Sequence, residues 1–226
     1  MKYQWLLFDA DNTLFDFDGA ARSAFTATLE HFEIKGTKNF HAIYKRANSF
    51  VWKQLEDGKI TTEELRYKRF ALFLEKIKME RDPMAMNTTF LNELVEHSTL
   101  LEEAKPLLDR LHGQYRMAII TNGLKEVQRP RISKVALTEF FDEIIVSDEI
   151  GVAKPDAGFF EHTFEAINHP QKDEVLVIGD NLNSDIRGGN GFGLDTCWYN
   201  PKGKDKFDKI KPTYEIKQLS ELPKYL

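Results

Sequence analysis

Asp9-Ala10-Asp11-Asn12-Thr13 sets two carboxylates and a hydroxyl close together near the start of the chain. Thr121-Asn122-Gly123 offers a second hydroxyl, Lys154-Pro155 an ammonium, and Gly179-Asp180-Asn181 with Asp185 two further carboxylates. Singly, each has an ordinary explanation. Asp9, Asp11 and Asp180 suit turns, Thr121 suits a helix cap, and Lys154 suits a solvated surface. Gathered at one place they make a different object. Carboxylates 4 Å apart repel by about 4 kcal/mol per pair at an effective dielectric near 20, so such a group needs a cation or some protonated members. An all-oxygen ligand set favours a hard ion, and Mg²⁺ typically combines one or two carboxylates with waters and substrate phosphate. Lys154 and Thr121 can then meet phosphoryl oxygens opposite the metal. Backbone N–H groups around Ala10 and Asn122-Gly123 can cradle the remaining oxygens. The chemistry this implies is phosphoryl transfer, which rests on positioning and charge neutralisation.

Each stretch follows a short apolar run, or in the case of Lys154 lies a short loop beyond one. The runs are Trp5–Phe8, Met117–Ile120, Ile144–Val146, Val175–Ile178 and Thr196–Tyr199. They lack polar alternation, as strands buried on both faces do. Helical periodicity fills most of the gaps. Leu101, Ala104, Leu107, Leu108 and Leu111 precede the second run; Val127, Ile132, Val135 and Ala136 precede the third; Phe159, Phe160, Phe164 and Ile167 precede the fourth. Strands alternating with helices predict an α/β fold, a doubly wound, Rossmann-like parallel sheet. Ligands bind beyond the carboxyl ends of such strands, where the polar stretches fall.

One gap is too long for a simple crossover. Residues 17–100 carry four amphipathic patterns. Ala21, Phe25, Leu29 and Phe32 mark the first, and Phe40, Ile43, Ala47, Phe50 and Val51 the second. Thr61 with Glu64 predicts a capping box before the third, and Asp82-Pro83 an N-cap and first helical position for the fourth. The expected organisation is a core domain of residues 1–16 and 101–226 interrupted by a helical-bundle cap of 17–100. Asp16 and Asp18 read as a solvated turn, Trp52 and Met86 as bundle core, and the lysine-rich Lys202–Lys211 as a solvated loop.

Composition narrows the function. The formal net charge is -5, with 36 acidic against 31 basic residues, which argues against coating a nucleic-acid polymer. The single Cys197 cannot form an internal disulfide, and six scattered histidines offer no zinc spacing. No run is long enough for a membrane helix or a signal peptide. A cytoplasmic protein without membrane association is expected, either monomer or homodimer.

On its ordered motifs the chain resembles the haloacid dehalogenase (HAD) superfamily of phosphohydrolases, subfamily I. The pieces are Phe8-Asp9-Ala10-Asp11-Asn12-Thr13-Leu14, Ile120-Thr121-Asn122-Gly123, Val152-Ala153-Lys154-Pro155-Asp156, and Ile178-Gly179-Asp180-Asn181 through Asp185-Ile186. The resemblance implies Asp9 as a nucleophile forming an aspartyl-phosphate and Asp11 as the acid, then base. It implies Thr121 and Lys154 on the phosphoryl oxygens, and Mg²⁺ held by Asp9, the Asp11 backbone carbonyl and Asp180. Asp185 would orient metal-bound water. Members that dehalogenate carbon lack the second acid, so Asp11 favours ester hydrolysis.

A finer resemblance is to the bacterial pyrimidine 5'-nucleotidase group. It rests on Asp16-Phe17, on Gln128-Arg129 after the second motif, and on Ser184 through Asn190, Gly193 through Thr196 and Trp198 through Pro201. Gly191-Phe192 departs from the Asn-Ala associated with that segment. The implied substrate is a nucleoside monophosphate, with aromatics of the insert or its border, among Phe15, Phe17, Tyr44, Phe50, Trp52 and Tyr67, able to stack on the base. Rival readings are a phosphatase of phosphoglycolate or a sugar phosphate, a phosphomutase, and a non-enzymatic receiver-like switch.

Overall fold

A computed structural model describes residues 2–37, 39–205 and 209–226. The chain divides into two units, one of Met1–Phe17 with Thr99–Leu226 and one of Asp18–Ser98.

The larger unit is built on a six-stranded, wholly parallel sheet. Its strands are β1 (Trp5–Phe8), β2 (Arg116–Thr121), β3 (Glu143–Val146), β4 (Val175–Gly179), β5 (Asp195–Tyr199) and β6 (Tyr214–Ile216), in the order β3-β2-β1-β4-β5-β6. The strand order reverses between β1 and β4, the switch point where this kind of sheet opens a crevice. Register fixes what meets there. Phe8 pairs with Ile119 on one side and Ile178 on the other, so the residues that leave β1, β2 and β4 emerge side by side.

Both sheet faces are buried. Leu6, Phe8, Met117, Ile119, Leu176, Ile178 and Cys197 point into one cluster with Leu107, Leu108 and Leu111. Trp5, Leu7, Ala118, Ile120, Val175 and Val177 point into the other with Phe159, Phe160 and Phe164. Each Val, Leu, Ile, Phe or Met among them contributes about 1.5–3 kcal/mol through burial. Two-sided burial is why the strands show no alternation in sequence. β6 escaped that signal: it has three residues, with Glu215 at its centre.

The smaller unit is helical. α1 (Phe17–His31), α2 (Phe40–Glu56), α3 (Thr62–Ile77) and α4 (Pro83–Glu96) supply its helices. Thr61 and Glu64 form the predicted capping box, and Asp82 accepts from the N–H groups of Met84 and Ala85. Phe25, Tyr44, Phe70, Phe73 and Phe90 form a buried aromatic cluster. Met86 and Val51 are buried as expected, but Phe50 is exposed and Tyr44 joins Val51 in the core on α2. Trp52 is only partly buried.

The larger unit continues with α5 (Ala104–Leu111), α6 (Lys125–Lys134), α7 (Ser147–Ile150), α8 (Ala157–Ala166) and α9 (Arg187–Phe192). A π-helical turn, Leu182–Ile186, precedes α9. Gly191-Phe192 closes α9, with Gly193 left-handed at its end. Among the described residues no helix is long and apolar enough to cross a membrane.

Candidate active site

Asp9 leaves β1 and is tied to β4 at once: its N–H donates to the Ile178 carbonyl at 2.8 Å. The chain then folds back on itself. The N–H groups of Leu14 and Phe15 both donate to the Ala10 carbonyl, and Asn12 takes a left-handed φ of 58°, which asparagine tolerates well. This turn brings Thr13 Oγ1 within 3.2 Å of Asp9 Oδ2, to which it donates. The other oxygen, Oδ1, accepts from Lys154 Nζ at 2.8 Å.

Lys154 is 1% exposed although it sits in a loop. It is held from both ends. Its N–H donates to Asn122 Oδ1 and its carbonyl accepts from Asn122 Nδ2, both at 2.8 Å. Its ammonium also donates to the Ile120 carbonyl at 2.6 Å and lies 2.7 Å from Asp185 Oδ1. Asn122 therefore serves Lys154 with both ends of its carboxamide. The Gly123 N–H donates to Thr121 Oγ1 at 3.1 Å.

Asp180 follows β4. Its carbonyl accepts from the Trp198 indole N–H at 3.0 Å, and its carboxylate lies 3.5 Å from Lys204 Nζ. Asp185 is wholly buried. The π-helical turn carries its carboxylate back against β4, where Oδ2 accepts from the Asn181 N–H at 3.0 Å and Oδ1 from Ser184 Oγ at 3.2 Å. Carboxylate oxygens of Asp9, Asp180 and Asp185 lie within 4.8 Å of one another. Asp11 does not join this trio. Its side chain turns to α6, meeting Gln128 and Arg131.

The electrostatics are those of a cation site. Two carboxylates, Asp9 and Asp185, share one ammonium, and the Asp180 carboxylate lies beside them. Burial pushes Asp9 well above the usual carboxylate range; Lys154 pulls it down, while Asp185, Asp11 and Asp180 push it up. Asp180 is raised to about 6, first by burial and then by Asp185, against the pull of Lys204. Burial alone would lower Lys154, but Asp185 and Asp9 outweigh it and hold the ammonium above the ordinary lysine value. The donors are all oxygen, the excess charge is negative, and Asp9 and Asp180 hold their protons more tightly than free carboxylates do. A hard divalent cation fits that set.

All the residues expected at strand ends stand at one rim. The participants not foreseen are Arg131 and Lys204, while Ser184 figures in the sequence only as part of the family resemblance. Lys204 belongs to the stretch expected as a solvated loop, of which residues 206–208 lie outside the described residues. Gln128 carried a family signal but no assigned role. Its spacing of three from Arg131 on one helix is the pattern that could have drawn attention to the pair.

The parallel sheet, the switch-point acids and the helical insert define a hydrolase class. The family model of haloacid dehalogenase-like hydrolases matches residues 3–193, and the chain belongs to that family. It is 37% identical to the HAD-hydrolase YfnB of Bacillus subtilis, over 98% of this chain and 94% of that protein. It is 35% identical to the pyrimidine 5'-nucleotidase YjjG of Escherichia coli, over 100% and 99%. With the pyrimidine 5'-nucleotidase PynA of Streptococcus pneumoniae it shares 34%, over 98% and 94%. The crystal structure of YfnB bound to magnesium superposes with a TM-score of 0.92 over 98% of this chain and 97% of that one.

Proposed function

We propose that the protein is a Mg²⁺-dependent phosphomonoesterase that hydrolyses nucleoside 5'-monophosphates, pyrimidine nucleotides foremost. The observation that carries this reading is the setting of Asp9. It is a buried carboxylate braced by Thr13 and Lys154, within reach of Asp180 and Asp185, with a second acid two residues on. The likeness to YjjG and PynA along nearly the whole chain supports the nucleotide specificity.

In this reading Asp9, Asp180 and the Asp11 backbone carbonyl hold the cation, with Asp185 beside them. When bound, Mg²⁺ neutralises the acids and the phosphoryl oxygens that approach them. Lys154 and the Thr121 hydroxyl bind the other phosphoryl oxygens, with the backbone at Asn122 beside them. Thr13 and Lys154 orient the Asp9 carboxylate. An Asp9 oxygen attacks phosphorus, the bond to the leaving oxygen breaks, and Asp11 gives that oxygen a proton. Asp11 then takes a proton from water as it attacks the aspartyl-phosphate, releasing inorganic phosphate and restoring Asp9.

The test is phosphate release across a panel of nucleoside monophosphates, sugar phosphates and phosphoglycolate with added Mg²⁺. Pyrimidine nucleotides should give the highest kcat/KM. A clear preference for phosphoglycolate or a sugar phosphate would overturn the nucleotidase assignment and keep the phosphatase. No release from any ester would remove both.

A further inference from the structure

Asp11 is held by a closed triangle of side chains. Its Oδ2 accepts from Gln128 Nε2 at 3.0 Å, and its Oδ1 meets the Arg131 guanidinium at 2.5 Å. The two partners are joined to each other: Gln128 Oε1 accepts from Arg131 Nε at 3.2 Å and from Nη2 at 2.7 Å. Both lie on α6 and are buried, at 1% and 0% exposure. The Gln128 carboxamide has one workable orientation here, its oxygen towards the guanidinium and its nitrogen towards the carboxylate. The Phe15 ring backs the guanidinium, with its centroid 4.3 Å from Cζ, a cation–π contact. Taking an arginine wholly out of water is costly unless a charge partner is well placed. The partner here is a carboxylate whose own side chain remains 27% exposed. A turn-forming aspartate needs no such support.

We infer that Gln128 and Arg131 are positioning residues that determine which oxygen of Asp11 exchanges the proton. The inference rests on the reading of Asp11 as the acid–base group. Oδ1 is anchored by a charged donor and Oδ2 by a neutral one. Charge-assisted hydrogen bonds are roughly twice as strong as neutral ones, so Oδ2 is the oxygen that swings free. In the first half-reaction the Asp9–phosphorus bond forms, the ester P–O bond breaks, and the proton on Oδ2 passes to the departing alkoxide. In the second, a water oxygen bonds to phosphorus, the Asp9 P–O bond breaks, and the water proton returns to Oδ2. Arg131 keeps Oδ1 throughout. Gly123 belongs to the same arrangement. A β-carbon there would come within 1.9 Å of Gln128 Nε2, so this glycine leaves the room through which the carboxamide reaches Asp11.

The test compares leaving groups. An alkoxide needs a proton to depart, whereas p-nitrophenolate leaves as the anion. kcat/KM covers only the steps through loss of the leaving group, so the activation of water does not enter it. It is measured for the best alkyl phosphate of the panel above and for p-nitrophenyl phosphate, in the wild type and in Gln128→Leu, Gly123→Ala and Arg131→Lys. The nearest atoms to a β-carbon on Gly123 all belong to the Gln128 side chain, from Nε2 back to Cγ, so Gly123→Ala must move that side chain away from Asp11. It and Gln128→Leu decide the matter even if the Arg131 variant fails to fold. Both should lose about 10–100-fold on the alkyl ester and less than about threefold on the aryl ester. Arg131→Lys keeps the charge without the fork that spans Asp11 and Gln128 and should show the same split. Equal losses on the two esters, or none on the alkyl ester, in folded Gln128→Leu and Gly123→Ala would overturn the inference and leave the phosphatase reading intact. A wild type that hydrolyses neither ester would end both.

Discussion

The carboxylate of Asp185 occupies the space that a β-carbon on Gly179 would need: its Oδ2 lies 2.3 Å and its Cβ 2.6 Å from that position. Asp185 has little freedom to retreat, because Oδ1 faces Lys154 Nζ at 2.7 Å and Oδ2 accepts from the Asn181 N–H. Gly179→Ala should therefore destabilise the fold by about 1–3 kcal/mol, as overpacking of a tight interior does, and should weaken Mg²⁺ binding with it. Denaturant melts and calorimetric titration with Mg²⁺ measure the two effects. Wild-type values for both would show that Asp185 relaxes at no cost.

Lys154 is the ammonium that Asp9 and Asp185 share, and all three side chains are at most 10% exposed. Lys154→Met leaves those acids facing one another without it. The expected loss is about 3–5 kcal/mol, the usual result of breaking a buried pair from one side. Saturating Mg²⁺ should recover part of that loss through binding to the folded state, while turnover stays low for want of a phosphoryl-binding cation. A variant as stable as the wild type in chelator would contradict the account of the cluster.

Asp180 gives the pH dependence. Burial, with Asp185, raises it from an ordinary value of 3.8 to about 6. Below about pH 4 the group is neutral in folded and unfolded chains alike, and it costs nothing. As the pH rises from about 4 to about 6 the unfolded chain gives up a proton that the fold retains, so metal-free stability falls; above about 6 the loss is complete. A shift of this size corresponds to on the order of 2–3 kcal/mol. In chelator, Asp180→Asn should thus match the wild type near about pH 4 and be the more stable protein near about pH 7.5. Thermal melts at both values decide it, and a less stable variant at neutral pH would mark Asp180 as structural.

Asp9→Asn removes the proposed nucleophile and keeps nearly the same shape. Turnover should fall by several orders of magnitude, and the melting temperature in chelator should hold or rise because a strained acid is gone. Hydrolysis at the wild-type rate would falsify the assignment of Asp9.

Much of this was legible in the chain before any coordinates. The two-sided burial of Leu6, Leu7, Phe8 and their counterparts leaves unbroken apolar runs, and acids placed directly after such runs have nowhere to go but the rim. Arg131 was not legible. Val127 and Ile132 announce the inward stripe of its helix, which is otherwise predominantly polar and contains Pro130, so Arg131 reads as one more solvated charge beside that stripe. Its charge partner, Asp11, is far away in sequence. Tyr44 and Phe50 were exchanged for a related reason. Apolar residues surround α2 closely enough to suggest more than one inward face, and the Tyr44 hydroxyl disguises a ring that stacks on Phe25 with centroids 4.5 Å apart. β6 is too short, and its centre too polar, to leave a pattern.

The two-way amide clasp between Asn122 and Lys154 separates the placement of the ammonium from the loop that delivers it. The lysine takes its coordinates from the end of β2, as though splinted to that strand. The charge is accordingly moored to a neighbouring strand rather than to the stretch of chain that carries it.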